Sequence, residues 1–255
     1  MAVLSVKEIS KAYGEEKIID GVSLELRKGE VVSLLGVSGS GKTTLFNIIA
    51  GLSRPDSGHV WMDGEDITGT SGNVSYMLQK DLLLPYRNIL DNVALPLVIK
   101  GMKKQEARNA AAVHFETFGL AGTERKYPWQ LSGGMKQRAA LLRTYLFSGK
   151  VALLDEPFSA LDMLTKQSIH AWYLDVMEKI QLSTLFITHD IDEAILLSDR
   201  IYIMTGKPGQ ITKEIEIVQL RPRGKDFHLS DEFRNYKKEI LEYLEGKSVD
   251  EFLVL

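Results

Sequence analysis

The stretch Gly36-Val37-Ser38-Gly39-Ser40-Gly41-Lys42-Thr43 constrains this chain more than any other, because it stands between an apolar run, Val31 to Leu35, and a helical pattern carried by Leu45, Ile48, Ile49 and Leu52. The order is strand, glycine loop, helix. Its spacing is that of the phosphate-binding loop G-x-x-x-x-G-K-[ST], in which backbone N–H groups wrap phosphates, a lysine reaches the terminal phosphates and a hydroxyl ligates Mg²⁺. Glycines permit positive φ and leave no Cβ between a phosphate and the backbone. The helix that follows aims unpaired N–H groups and the positive end of its dipole at an anion. A glycine turn beside a surface lysine is the bland alternative. Four fixed positions recur by chance in roughly one sequence in a hundred of this length, and the flanking strand and helix are independent support for a nucleotide site.

The chain has 255 residues, 44% of them hydrophobic, enough for a sizeable core in one large domain or two small ones. Its formal charge of −3, from 34 acids against 31 bases without a long basic run, argues against nucleic acid as a partner. Cysteine is absent, which excludes disulfides and thiolate zinc sites and suits a reducing compartment. The first residues carry no charged segment followed by a long apolar core, and the longest apolar runs, such as Val93 to Ile99, fall far short of the roughly 20 residues of a membrane span.

The opening segment alternates apolar and polar residues (Val3, Leu4, Val6, Ile9, then Val22, Leu24, Leu26), which predicts antiparallel strands joined near Gly14. Val60 to Gly64 predicts a further strand and turn, and Asn73 to Leu78 a buried strand ending at Gln79. From Lys103 to Phe118 the spacing is helical, with Ala107, Ala110, Ala111 and Phe115 on one face. A second helix is expected after Leu131-Ser132-Gly133-Gly134, then a strand Val151 to Glu156, a crossover helix from about Leu164 to Lys179, and a buried parallel strand Thr184 to His189. A short helix over Asp190 to Ser198 and strands near Ile201 to Met204 and Ile211 to Val218 follow. In the more polar tail, Ser230 is a candidate N-cap, with Phe233, Tyr236, Ile240 and Leu244 at helical spacing.

The run Val151 to Glu156 is a buried apolar strand that ends in two acids. At the edge of a phosphate loop such a strand places one carboxylate, Asp155, on the Mg²⁺ shell and the next, Glu156, where it orients and deprotonates an attacking water. Two acids at a helix N-terminus, favouring its dipole, are the alternative. The order of the pieces is more specific. The phosphate loop is followed by Gln79, Leu131-Ser132-Gly133-Gly134-Met135-Lys136-Gln137-Arg138, Asp155-Glu156-Pro157, Ser159-Ala160-Leu161-Asp162 and His189, and in this order the chain resembles the ATP-binding-cassette ATPases from Ser5 to about Gly209.

That resemblance implies an α/β fold: a RecA-like P-loop NTPase core with a parallel sheet, an N-terminal antiparallel β subdomain and an α-helical subdomain over about 82–148, the whole filling 1–223, with a helical tail over 224–255. It implies ATP and Mg²⁺ as ligands. Tyr13 would stack on adenine, and the residues Gly36, Val37, Ser38, Gly39, Ser40, Gly41, Lys42, Thr43 and Thr44 would hold the phosphates, with Thr43, Gln79 and Asp155 around the metal. Gln79 would also touch the attacking water, its loop Lys80 to Asn88 sensing a partner, and His189 would contact the γ-phosphate and support Glu156. Ser132, Gly133 and Gly134, with Gln137, would act in trans on the nucleotide held by Lys42 of a second copy, and Asp162 would brace the seam of that homodimer or else cap the next helix.

Two further stretches, Leu82-Leu83-Leu84-Pro85-Tyr86-Arg87-Asn88-Ile89-Leu90-Asp91-Asn92-Val93 and Leu197-Ser198-Asp199-Arg200 leading to Lys207-Pro208-Gly209-Gln210-Ile211, resemble the import ATPases for nitrate, sulfonate, taurine and similar small solutes. The resemblance implies a peripheral subunit on the cytoplasmic face of the membrane, working with transmembrane permease subunits and, indirectly, an extracytoplasmic solute-binding protein. The chain departs from that pattern at Tyr86, where tryptophan is usual, at Gly149-Lys150, where a proline usually precedes the strand, and at Thr144-Tyr145. The tail is expected to pack on the core as an amphipathic helix.

Overall fold

The computed structural model describes residues 2–252, apart from Gly149, Ala160, Pro222, Gly224 and Lys225. Gly149 of the strand approach, Ala160 of the Ser159–Asp162 turn, Gly224 at the expected start of the tail and the last three residues of that tail thus lie outside the described residues.

The alternating opening folds into β1 (Ala2–Tyr13) and β2 (Glu16–Arg27), a bulged hairpin that buries Leu4, Val6, Ile9, Val22, Leu24 and Leu26. Next come β3 (Val31–Gly36), α1 (Lys42–Ile49), β4 (Ser57–Met62) and β5 (Glu65–Asp66). β4 and β5 complete an antiparallel sheet of order β2-β1-β4-β5. β6 (Ser75–Met77) leads into a helical region of α2 (Ile89–Val93), α3 (Leu95–Ile99), α4 (Lys104–Ala112) and α5 (Gly133–Ser148). The chain then alternates: β7 (Val151–Asp155), α6 (Met163–Ile180), β8 (Ser183–Thr188), α7 (Ile191–Leu197), β9 (Arg200–Thr205) and β10 (Gln210–Glu216), before α8 (Asp231–Phe252).

The second sheet has six strands in the order β10-β9-β3-β8-β7-β6, parallel throughout except for the β9–β10 hairpin. β3, β8 and β9 are buried along their whole length, as continuous apolar runs with both faces covered must be. The order has a functional consequence. β3, β8, β7 and β6 are neighbours, so the residues just past their C-terminal ends, where open parallel sheets bind ligands, meet along one edge.

Two expectations are corrected. The helix read from Lys103 to Phe118 stops at Ala112. Beyond it the i→i+3 bonds His114 N→Ala111 O (3.2 Å) and Phe115 N→Ala112 O (3.1 Å) tighten the backbone and turn Phe115 and Phe118 into the core. The helix expected after Gly134 starts earlier, at Gly133, because Ser132 caps it: the Ser132 hydroxyl accepts from Met135 N at 3.3 Å.

Three apolar clusters result. One joins the helical region to the β6–β7 side of the parallel sheet, and another fills the space between the antiparallel sheet, α1 and the opposite face. The third packs α8 through Phe233 and Ile240 on α7, β9 and β10.

Candidate functional site

The loop after β3 turns into α1 at Gly41, whose φ of 88° is left-handed and which gives α1 an N-terminus without a side-chain cap. A Cβ on Gly41 would stand 2.5 Å from Ile19 Cγ2, so glycine is required by backbone angle and by space alike. The uncapped N–H groups of the first turn are thereby left for an anion.

Lys42 is buried at the head of α1, and its Nζ donates to Gly36 O at 2.9 Å and Val37 O at 2.7 Å, with Ser40 Oγ at 3.4 Å. Burial pushes the Lys42 pKa down, while the carboxylates of Glu156 and Asp155 act to raise it. The ammonium is thus held by neutral carbonyls inside the loop, facing two acids across the strand ends.

Thr43, the next residue of α1, faces Asp155, the last residue of β7, and its hydroxyl acts to lower the Asp155 pKa. Tyr76 of β6 donates its hydroxyl to Asp155 Oδ2 at 3.4 Å. Burial, then the negative charge of Glu156, raise the Asp155 pKa above the ordinary carboxylate value. Thr43 and Asp155 together offer only oxygen donors, the chemistry that suits a hard divalent cation.

Glu156 follows immediately with φ 45°, a left-handed backbone on a non-glycine residue, while its N–H continues the ladder to Ile187 O at 3.1 Å. Such a conformation costs of order 1–3 kcal/mol and is found where the surroundings enforce it. The turn delivers the carboxylate to two side chains from neighbouring strands. Gln79 Nε2, past the end of β6, donates to Glu156 Oε2 at 3.2 Å and to Ser159 Oγ at 3.3 Å; His189 Nδ1, past the end of β8, lies 3.1 Å from Glu156 Oε1. The three residues read as catalytic therefore form one cluster, and Gln79 engages Glu156 rather than Asp155.

The remaining sequence-derived residues are more dispersed. Tyr13 ends β1 as an exposed ring with Lys11 Nζ 5.6 Å from its centroid. Ser132 and Gly133 are exposed at the head of α5, and among the described residues no hydrogen bond joins them to the phosphate loop. Asp162 caps α6, accepting from Thr165 N at 3.0 Å and Thr165 Oγ1 at 2.6 Å. Gln137 lies one turn further along α5 and is buried. Gly134, Gln137 and Leu141 form the inner stripe of α5, and the Gln137 amide is buried against Met77, Leu154 and Phe158 with Oε1 unpartnered, away from the exposed Ser132–Gly133 edge.

Other residues support the site from outside the predicted set of site residues. Asn92, fully buried, takes a hydrogen bond from Leu84 N and donates to the carbonyls of Leu84, Arg87 and Asn88. Arg143 of α5 donates to the carbonyls of Leu82 (2.8 Å) and Asp81 (2.5 Å). Between them they shape the loop that leaves Gln79, and Tyr86 stands at its crest as an exposed ring.

A phosphate loop, two carboxylates and a glutamine–histidine pair at the ends of adjacent parallel strands define a nucleotide triphosphatase. The ABC transporter family profile matches residues 19–159. The formylaminopyrimidine import ATP-binding protein of Halalkalibacterium halodurans is 46% identical over 216 residues, 84% of each chain. The nitrate import ATP-binding protein of Synechocystis sp. is 34% identical over 97% of each chain, and the aliphatic sulfonates import ATP-binding protein of Bacillus cereus is 37% identical over 95% of this chain and 96% of its own. Among solved structures, the dimeric structure of a bacterial ABC transporter cassette superposes with TM-score 0.71 at 30% identity, covering 85% of this chain and 100% of that one. The chain belongs to the ABC transporter family, as an ATP-hydrolysing cassette. No helix among the described residues is long and apolar enough to cross a membrane.

Proposed function

We propose that this cassette powers import of a small solute, of the nitrate, sulfonate or taurine kind, as a homodimer beneath transmembrane permease subunits on the cytoplasmic face, the solute being delivered by an extracytoplasmic binding protein. The relatives quoted above, each an import ATP-binding protein, support import, and the dimeric cassette structure supports the homodimer. The observation that carries the chemistry is the Gln79–Glu156–His189 cluster beside the Lys42 loop.

In this reading Gly36 to Thr44 bind the phosphates through backbone N–H groups and Lys42, whose ammonium leaves the carbonyls of Gly36 and Val37 for phosphate oxygens. Thr43 and Asp155, with Gln79 nearby, would hold Mg²⁺, which would neutralise charge on the phosphates. Glu156 takes the proton of the attacking water. Gln79 and His189 fix the carboxylate that does so, and His189, with its side chain 59% exposed, faces outward to the terminal phosphate. Tyr13 offers its ring to the base. Ser132 and Gly133, exposed at the head of α5, present their N–H groups to the nucleotide of the second copy. Asp162, besides capping α6, lies along that seam. ATP draws the dimer closed by as much as it binds the closed state better.

A phosphate-release assay tests the assignment. Glu156→Gln is expected to bind ATP, to hydrolyse it about a thousandfold more slowly and to accumulate as a dimer on size exclusion, whereas Lys42→Ala loses nucleotide binding. Full turnover in Glu156→Gln removes that residue from the base role.

A further inference from the structure

Behind the His189 turn lies a polar chain that the reaction as described does not use. Glu193 of α7 is 3% exposed, yet it carries a carboxylate. Its Oε2 accepts the hydroxyl of Thr188, the residue before His189, and its Oε1 lies 3.3 Å from His170 Nε2 on α6. The Thr188 oxygen in turn accepts from Asp190 N at 3.0 Å, and Asp190 Oδ1 accepts from Glu193 N at 3.1 Å, so of the two neighbours of His189 one is tied to the Glu193 carboxylate directly and the other through the Thr188 hydroxyl and the Glu193 backbone. A second link runs parallel to the first: Lys166, one turn before His170 on α6, lies 3.4 Å from Asp190 Oδ2. The His170 ring also meets Phe158, two residues beyond Glu156, edge-on at 5.1 Å.

A buried carboxylate held by one hydroxyl and one imidazole is an expensive way to close a turn, since an apolar side chain of the same size would avoid the desolvation. It does, however, set direction. We infer that Glu193, backed by His170, is a positioning residue that locks the Thr188–Asp190 turn so that the His189 ring meets Glu156, and that it couples this turn to the helix headed by Asp162. The inference rests on the reading that His189 assists Glu156 in hydrolysis.

A double-mutant cycle on steady-state ATPase rates tests it. Glu193→Gln is expected to lower kcat about tenfold, the scale of a misaimed catalytic group, with the KM for ATP within about twofold of the parent. In a His189→Ala background the same substitution is expected to change kcat by less than about twofold, because the group it aims is gone. Thr188→Val, which removes the same hydrogen bond from the other end together with the acceptor of Asp190 N, gives the same pattern and serves if Glu193→Gln does not fold. Equal losses in both backgrounds mean that Glu193 acts on the fold in general, and an unchanged kcat in Glu193→Gln means that the turn aims itself; either overturns the proposal while leaving His189 in its role. Full turnover in His189→Ala alone fails the underlying reading, and the proposal with it.

Discussion

The Asp155 carboxylate stands where its charged form is disfavoured. Burial and the adjacent Glu156 charge raise its folded-state pKa above the unfolded value, so the fold prefers the protonated acid. The stability this group contributes is present below the unfolded carboxylate pKa and is lost as pH rises through the folded one; at neutral pH the ionised group opposes folding. Asp155→Asn is therefore expected to raise Tm at pH 7.5, with the gain shrinking as pH falls into the carboxylate range, while Mg²⁺-dependent turnover drops about a thousandfold. Paired thermal melts and phosphate release read both effects. Lys42, Thr43, Asp155 and Glu156 were legible because each terminates a strong local pattern. Tyr76 and Arg143 were not: their partners lie 79 and 61 residues away, and a lone polar letter announces nothing about a contact at that distance.

The β9–β10 hairpin owes its place beside the phosphate loop to a close approach. Gly209 at its tip exchanges backbone hydrogen bonds with Ile18 and Asp20, and a Cβ there would stand 1.9 Å from Ser40 O. Gly209→Ala is expected to push hairpin and loop apart and weaken ATP binding about tenfold, with the fold retained, as fluorescent-nucleotide titration beside circular dichroism reads. The Lys207–Gly209 stretch was noted in the sequence only as a likeness to import ATPases, whereas its contact with the loop supplies a physical reason for glycine at that position. Asn92 performs a similar task for the loop after Gln79. Asn92→Ala leaves its partly buried backbone partners unmatched and is expected to cost about 2 kcal/mol, lowering Tm by about 6 °C and speeding amide exchange of residues 84–88.

Across the whole molecule, long-range links decide how the layers sit. Buried Arg200 on β9 bonds Glu30 at 2.5 and 2.9 Å, Glu214 at 2.7 Å and the Glu25 carbonyl at 2.8 Å, joining the two sheets through one guanidinium. α8 covers β9 and β10 with Phe233 and Ile240, and Tyr243 donates to Thr212 O at 2.6 Å. Ile240 is fully buried, so Ile240→Ala is expected to destabilise the chain by about 3 kcal/mol, read by denaturant unfolding, while basal turnover stays near that of the parent. Loss of turnover with no loss of stability would instead assign the tail a regulatory part.

The amino-acid order alone determined the elements and the phosphate loop, since period, glycine spacing and caps act over a few residues. It determined the two carboxylates at the end of β7 for the same reason. Only the tertiary structure decided that Gln79, Glu156 and His189 meet, because this follows from β8 and β7 lying between β3 and β6, a strand order set by non-local pairing. It also decided that Gln137 turns inward and that Glu193 stands behind His189, since helix rotation about its own axis is fixed by the packing of distant neighbours rather than by adjacent residues.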